Sequence, residues 1–460
     1  MSEVSAPRPL PNAVFAAYGT GWIGGQVFRD VPALILLPFM LTVAGVPPAV
    51  AGAAIFVPKL WVVVCDPLMG LLSDRTTTRW GRRRPYLFVG AILCGITFLL
   101  LFNVPDLGSG VAKGVYVGAV YTLASTAFSI YSVPYLTMAS ELAATMHERT
   151  LVMSWRQVGL GFGLIAGNAM PLWLVQQGGG GAAGYSFMAV VLGAVCLITM
   201  LVTVFGTASV PLSAAVDRPV PLKDQVRLAA RNRPFLTLVA ANFAQLVGSA
   251  GGYATIAMYM TYRLQMDFVF ISKFLLLLSV MVVITPALWT LLSRRIGKKP
   301  VFVLAMIGFI VSFASFALVD AGDTAFIYLF AVALGSFNCG FSLMAFSMLL
   351  DTIAYDRQIS GLNREGVYAG LWSAMDKTAF ACGALLAGLS LSAFGYQEST
   401  AGFAPQTEQA LTGVAVTYIG MPTGFAVLAL ALILGYRLNA RDLAEPPGEA
   451  PSSAERPSAP

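Results

Sequence analysis

Asp66 is the residue whose chemistry stands out first. It lies within an apolar run, 48–72, where a carboxylate at membrane depth costs about 3 kcal/mol on insertion scales. A group placed there at that cost should face an interior and do something: gain and lose a proton, bind a cation, or hold a basic partner. Other ionisable residues share this situation. Arg29 and Asp30 sit in the first apolar segment, Arg156 in the fifth, and Asp376 and Lys377 in the eleventh. Arg156 is either the partner of Asp66 or of a substrate, or an arginine whose head reaches back to the membrane surface. Arg29 and Asp30 are adjacent on a helix and so point in different directions. One should line a cavity while the other pairs with a neighbouring helix, and the same holds for Asp376 and Lys377. Gln26, Ser129 and Ser132 are uncharged polar residues that either hydrogen-bond a substrate or join helices to one another.

A second cluster follows Asp66 closely. Ser73-Asp74-Arg75-Thr76 and Arg79-Trp80-Gly81-Arg82-Arg83-Arg84-Pro85 form a short, arginine-dense break between two apolar runs. Such a cluster sets membrane orientation and, with Asp74, is expected to act as a gate at the membrane face. Asp351 and Arg364, after the tenth apolar run, are expected to do the same. Other pattern matches fail on context. Gly19-Thr20-Gly21-Trp22-Ile23-Gly24 fits the spacing of a dinucleotide loop, but it opens an apolar helix with no strand before it. There is no Walker sequence, and His147, in a loop, is the only histidine, which leaves no histidine-rich metal site. The glycines at 159, 161, 163 and 167 read as close helix packing. The five cysteines all fall in apolar segments without metal or disulfide spacing.

The elements that must carry these residues are membrane helices. The chain is 57% hydrophobic and 11% charged, with mean hydropathy +0.76, whereas a soluble domain is about 25% charged. Segments long enough to cross a bilayer occur at 13–42, 48–72, 85–103, 114–140, 150–176, 184–210, 234–262, 268–292, 300–319, 324–350, 366–394 and 411–437. Basic residues gather after every second segment, and Lys113 and Arg263 are the clear exceptions in the alternate loops. The positive-inside rule therefore places the even loops and both termini in the cytoplasm. The net charge of +6 belongs to these loops and does not point to nucleic acid. The expected organisation is a cytoplasmic tail at 1–12, a six-helix bundle at 13–208, a cytoplasmic loop at 209–233, a second six-helix bundle at 234–437, and a disordered cytoplasmic tail at 438–460. The sequence around Arg82-Arg83-Arg84-Pro85 is echoed by Gly297-Lys298-Lys299-Pro300 at the same place in the second half, as a pseudo-twofold transporter requires.

Asp66-Pro67-x-Met69-Gly70, Ser73-Asp74-Arg75-Thr76 and Arg79 to Tyr86 resemble the glycoside–pentoside–hexuronide:cation symporters of the major facilitator superfamily. Tyr18-Gly19-x-Gly21, Pro134-Tyr135 and Asp351-Thr352 agree with that resemblance. It implies an all-α membrane protein of twelve transmembrane helices in two pseudo-symmetric six-helix bundles. It also implies a cation site: Asp66 matches the second of two helix-2 aspartates, while the first falls on Val62 and a helix-4 aspartate falls on Ser132. A sugar-binding aspartate falls on Gln26; Arg156 and Lys377 match a family arginine and lysine.

The expectation is thus a symporter, not an enzyme, moving a sugar or glycoside-like solute by alternating access through a cytoplasmic inner membrane. Asp66, Ser129 and Ser132 are the expected coupling residues. Gln26, Arg29, Asp30, Arg156, Trp372 and Lys377 are expected at the substrate. Asp74, Arg75, Arg82, Arg83, Asp351 and Arg364 are expected at the cytoplasmic gate. No cofactor is implied; the coupling ion is H+ or Na+, and H+ is favoured because one carboxylate serves a proton without further ligands. The expected partners are a small-molecule substrate, a cation and the lipid bilayer, with no nucleic acid, and a monomer is expected. An amphiphilic, lysolipid-like substrate is the alternative. A membrane enzyme or receptor would need a catalytic cluster or an outer domain, and neither is present in the sequence.

Overall fold

The computed structural model describes residues 11–76, 78–142, 146–208, 210, 232–320, 322–360, 365–436 and 438. The expected central loop, apart from its edges, and both expected tails, apart from a residue or two each, lie outside that set. Among the described residues the chain is all helix. The first half comprises α1 (Asn12–Ala44), α2 (Pro48–Arg75), α3 (Arg84–Phe102), α4 (Gly110–Leu142), α5 (Met146–Gln177) and α6 (Gly181–Gly206). The second comprises α7 (Arg233–Tyr262), α8 (Phe268–Ile284 and Pro286–Ile296), α9 (Lys298–Ser315), α10 (Thr324–Ser360), α11 (Glu365–Ala393) and α12 (Glu408–Leu434). The expected segments are all recovered, most with ends displaced by a few residues, while α10 runs ten residues past its expected end at 350.

Ten of these helices are long and apolar enough to span a bilayer, and the two parts of α8, bent by 46°, make an eleventh. The bend falls at Thr285-Pro286, where proline removes a backbone donor and breaks the ladder. α4 completes the twelve by length, with 33 residues. Its apolar character is diluted by Thr122, Ser125, Thr126, Ser129 and Ser132, of which the three serines are buried. The helix is less hydrophobic because its polar groups turn inward. In α2, Pro67 directly follows Asp66, so the carbonyl of Val63 one turn earlier loses its usual donor beside the carboxylate.

The halves repeat one packing scheme. In the first, α1 packs on α5 and α6, α2 on α4, and α3 on α4 and α6; in the second, α7 packs on α11 and α12, α8 on α10, and α9 on α10 and α12. Polar anchors repeat as well. Arg84, at the start of α3, donates to the carbonyls of Thr207 and Val210 past the end of α6, both at 2.5 Å. Lys299, at the start of α9, donates to the carbonyls of Leu434 and Tyr436 at the end of α12, at 3.0 and 2.6 Å. The arginine and lysine echo read from the sequence is therefore an echo of function within each half: each cation caps the C-terminal carbonyls of the last helix of its own bundle.

Between the halves, α2 meets α11, α5 meets α8, and α1 meets α7. At the face away from the chain termini these contacts are tight. The Ser399 and Gly402 amides donate to the carbonyls of Leu41 and Thr42, each at 2.8 Å. A Cβ on Gly388 would lie 2.9 Å from the Gly52 Cα, so α2 and α11 approach as closely as glycine allows. α1 and α5 use the same device. A Cβ on Gly163 would lie 2.6 Å from the Gln26 Cβ and 2.8 Å from the Ile23 carbonyl oxygen. The α5 glycines at 159, 163 and 167 face α1, as close packing requires, while Gly161 faces Val283 of α8.

Candidate functional site

A cavity of about 580 Å³ lies between the two halves. Its charged side is built from α1, α2 and α11, which bring Arg29, Asp30, Lys59, Asp376 and Lys377 to it. Lys377 forms an ion pair with Asp66 across the α2–α11 interface. The Ser129 hydroxyl of α4 donates to the other Asp66 oxygen at 2.5 Å. Both carboxylate oxygens are therefore occupied by donors from two different helices, one from each half of the protein. Lys377 lines the cavity and Asp66 does not; their side chains are 32% and 22% exposed. The expected pairing of Asp66 with Arg156 does not form. Arg156 instead lies over Trp22, its Cζ 4.4 Å from the ring centroid, a cation–π contact. Trp22 stacks on Tyr135 at 5.1 Å and Tyr135 on Tyr18 at 4.3 Å. Tyr18 and Tyr135 exchange hydrogen bonds, each hydroxyl donating to the other's carbonyl at 3.0 and 2.9 Å. The helix-1 and helix-4 sequence features thus build an aromatic stack that holds α1 to α4, with Arg156 of α5 on its end.

On α1, Arg29 and Asp30 do not point apart. The Arg29 side chain curls so that Nε donates to Asp30 Oδ1 at 3.1 Å. Gln26, one turn earlier, donates to Asp30 Oδ2 at 2.7 Å. The expected substrate contact from Gln26 is therefore not what the geometry gives. Gln26 is 1% exposed and does not line the cavity; it fixes the carboxylate that does. The Arg29 side chain is 55% exposed because its long stem carries the guanidinium out over Asp30 into open space. On α11, Asp376 and Lys377 both line the cavity together with Trp372, although adjacent helical positions diverge. Asp376 accepts from the Asn242 amide of α7 at 3.3 Å, while Lys377 reaches sideways to α2. Ser132 is buried on α4 and takes no part in the described hydrogen bonds of Asp66.

Several cavity residues were not anticipated. Lys59, one residue after Pro58 in α2, lines the cavity and sits 5.4 Å from the Tyr121 ring centroid. As a lone cation inside an apolar run it carried the same signal as Asp66. Asn168 of α5 donates to Ser279 of α8 at 2.9 Å and accepts from Tyr253 of α7. This neutral set ties the halves at α5–α8, the interface related by pseudo-symmetry to α2–α11.

At the face carrying the chain termini, Arg83 is the centre of the arginine cluster. It pairs with Asp74 at 2.6 Å and with Glu141 of α4 at 3.0 Å, and donates to Ser73 at 2.7 Å. Arg82 lies 3.7 Å from Asp74, and Arg75 is exposed at the end of α2. In the second half Asp351 pairs with Lys298 at 2.6 Å. Each of these pairs stays within its own half. Arg364 lies outside the described residues.

A family model described as MFS/sugar transport protein matches residues 17–440. The chain is 27% identical over 413 residues to the isoprimeverose transporter of Lactiplantibacillus pentosus, covering 86% of this chain and 83% of that protein. It is 25% identical over 448 residues to the glucuronide carrier protein homolog of Escherichia coli strain K12, covering 95% of each. Its fold matches the crystal structure of a D-xylose–proton symporter with a TM-score of 0.64, at 13% identity over 94% of this chain and 98% of that one. These are membrane transporters and not enzymes, and the D-xylose–proton symporter shares the fold described above. The chain belongs to the MFS/sugar transport protein family.

Proposed function

We propose that the protein is a proton-coupled symporter for a sugar or glycoside-like solute, working by alternating access between residues 13–208 and 234–437, with 209–233 as the joining loop. The observation that carries this reading is the Asp66–Lys377 pair, backed by Ser129, which spans the two halves beside the central cavity. A proton on Asp66 cancels the charge that holds Lys377, and so changes the attraction between α2 and α11. Since those helices belong to different halves, the protonation state of one carboxylate acts on the relative position of the bundles. A proton needs no further ligand, whereas Na+ would compete with Lys377 and Ser129 for oxygens already in use. Arg29, Asp30, Lys59, Asp376 and Trp372 form the substrate side of the site. The sugar class comes from the relatives' names, an isoprimeverose transporter and a glucuronide carrier homolog.

The face bearing the chain ends is cytoplasmic, since Arg75, Arg79, Arg82, Arg83 and Arg84 lie there with Arg294, Arg295, Lys298 and Lys299. The halves are sealed at the opposite face by the Leu41–Ser399 and Thr42–Gly402 bonds, so this conformation is the inward-facing one. The membrane is the inner membrane. The Asp74–Arg83–Glu141 and Lys298–Asp351 pairs are then internal braces of each bundle that reorganise when the cytoplasmic ends close. The test is sugar uptake into proteoliposomes under an imposed pH gradient, beside an imposed Na+ gradient. Uphill uptake driven by Na+ alone, with no response to the pH gradient, would reject the proton assignment.

A further inference from the structure

Three carboxylates line the cavity or pair with a residue that does, and two of them are saturated. Asp66 holds Lys377 on Oδ2 and the Ser129 hydroxyl on Oδ1. Asp30 holds Arg29 on Oδ1 and Gln26 on Oδ2. Asp376 accepts only from the Asn242 amide, on Oδ1 at 3.3 Å. Among the described residues it is in no ion pair, and its Oδ2 has no partner. It nevertheless lies within a membrane span, where a carboxylate must be paired or used. Lys377 is the next residue, lines the same cavity, and its charge already acts on Asp376 without closing to an ion pair. Neighbouring helical positions diverge, but Arg29 and Asp30 show that a long side chain spans the gap, at 3.1 Å. Lysine has a flexible four-carbon stem suited to the same reach.

A proton on Asp66 removes the anion that holds Lys377. Without a replacement, an ammonium would be stranded at membrane depth, which is strongly unfavourable, and Asp66 would resist the proton for the same reason. Around the cavity, Arg29 and Lys59 are themselves cations, the oxygens of Asp30 are taken, and Tyr253 and Tyr418 are phenols. Cys65, next to Asp66 in sequence, is a buried thiol. Among the described residues lining the cavity, Asp376 is thus the anion with an oxygen to spare.

We propose that Asp376 is the second station of Lys377: when Asp66 takes a proton, the Lys377 ammonium moves from Asp66 to the free oxygen of Asp376. Lys377 keeps its own protons throughout, and the proton gained by Asp66 comes from solvent. The move turns a tie between α2 and α11, one helix from each half, into a tie within α11. The halves lose a contact while the ammonium stays paired. Asp376 therefore acts through Lys377, as a positioning residue and not as the proton carrier. This step rests on the proton-coupling reading and supplies the event that frees one bundle from the other.

The test is thermal unfolding of purified full-length protein in detergent, with Asp66→Asn standing for the protonated state. Asp376→Asn should lower the melting temperature at least about twofold further in the Asp66→Asn background than in the wild type, since only there does Lys377 depend on Asp376. In the Asp66→Asn background Asp376→Glu, which keeps the anion, should avoid at least about half of that loss. With Lys377→Met present in both backgrounds, the difference between the two effects of Asp376→Asn should shrink by at least about half, because the field of Asp66 remains but the ammonium does not. Should the Asp66→Asn/Asp376→Asn protein accumulate too poorly to purify, adding Lys377→Met should restore its yield by removing the stranded charge. Equal effects of Asp376→Asn in the wild-type and Asp66→Asn backgrounds would overturn the proposal, as would no benefit from Asp376→Glu or a yield that Lys377→Met does not restore. A difference undiminished by Lys377→Met would also overturn it and assign Asp376 to Arg29. None of these measurements uses a proton gradient. The exchange can thus fail while proton-driven uptake stands, and uptake driven by Na+ alone would reject the proton while leaving the exchange in place.

Discussion

Lys377 of α11 and Asp66 of α2 are 311 residues apart in sequence and ion-paired across the interface of the two halves. Lys377 brings the pair to the edge of the cavity, and the pair has a neutral counterpart at the symmetry-related interface, where Asn168 of α5 meets Ser279 of α8. One interface can thus respond to a proton while the other cannot. That asymmetry within a pseudo-symmetric frame is what the coupling predictions examine.

Asp66→Asn should abolish accumulation driven by a pH gradient, by tenfold or more, while leaving counterflow exchange within about threefold of the wild type. Uptake and counterflow in the same proteoliposomes check this. Undiminished uphill transport by the variant would move coupling to Asp30 or Asp376.

Lys377→Met leaves Asp66 without its cation, whereas Lys377→Met combined with Asp66→Asn leaves neither charge. The single variant should therefore melt at a lower temperature than the double variant, because an unpaired charge costs more than an absent pair. Thermal unfolding in detergent decides the order, and a double variant less stable than the single one would contradict it.

Arg83 and Glu141 are both nearly inaccessible, with side chains 5% and 4% exposed. Glu141→Ala should cost about 2 kcal/mol, the range for a hydrogen bond to a charged group, moderated by the remaining Asp74 partner. Glu141→Gln should recover part of that loss in the same melting assay. Because both partners lie in the first half, the substitution should lower stability more than substrate affinity.

Gly163 and Gly370 should respond to alanine with opposite signs. At Gly163 the new methyl would meet the Ile23 carbonyl oxygen at 2.8 Å, and forcing α1 from α5 should cost about 1–3 kcal/mol. At Gly370 nothing lies within 4 Å of the new Cβ, and α11 should gain up to about 1 kcal/mol of helix propensity. Melting temperatures of the two variants give the comparison directly.

In a background without the native cysteines, Ser109→Cys should react with an impermeant thiol reagent in intact cells and Ser293→Cys should not. Ser109 precedes α4 at the face away from the termini, and Ser293 lies at the end of α8 with Arg294 and Arg295. The reverse labelling pattern would invert the proposed orientation.

The twelve spans and their division into two halves were legible in the sequence because burying backbone in lipid allows few alternatives to long apolar helices. The spacing of basic loops marked the ends, and the echo of Arg83-Arg84-Pro85 in Lys298-Lys299-Pro300 marked the repeat. That Asp66 and Lys377 need a partner or a use was legible for a related reason: a charge at that depth must be paired or used. Their partnership was not. Helix periodicity says which face a residue occupies, but the neighbour at that face is set by how helices pack. Glycines at 159, 163 and 167 draw α5 onto α1, which delivers Arg156 to Trp22. The glycine contact of Gly52 with Gly388 draws α2 onto α11, which delivers Asp66 to Lys377. Arg29 and Asp30 show the same limit on a smaller scale, since adjacent positions diverge at Cβ but a long side chain can curl back to its neighbour. The sequence by itself determined how many helices there are, where they begin and which residues are too costly to be idle. Only the tertiary structure decided which of those residues meet, because that depends on close approaches between helices far apart in the chain.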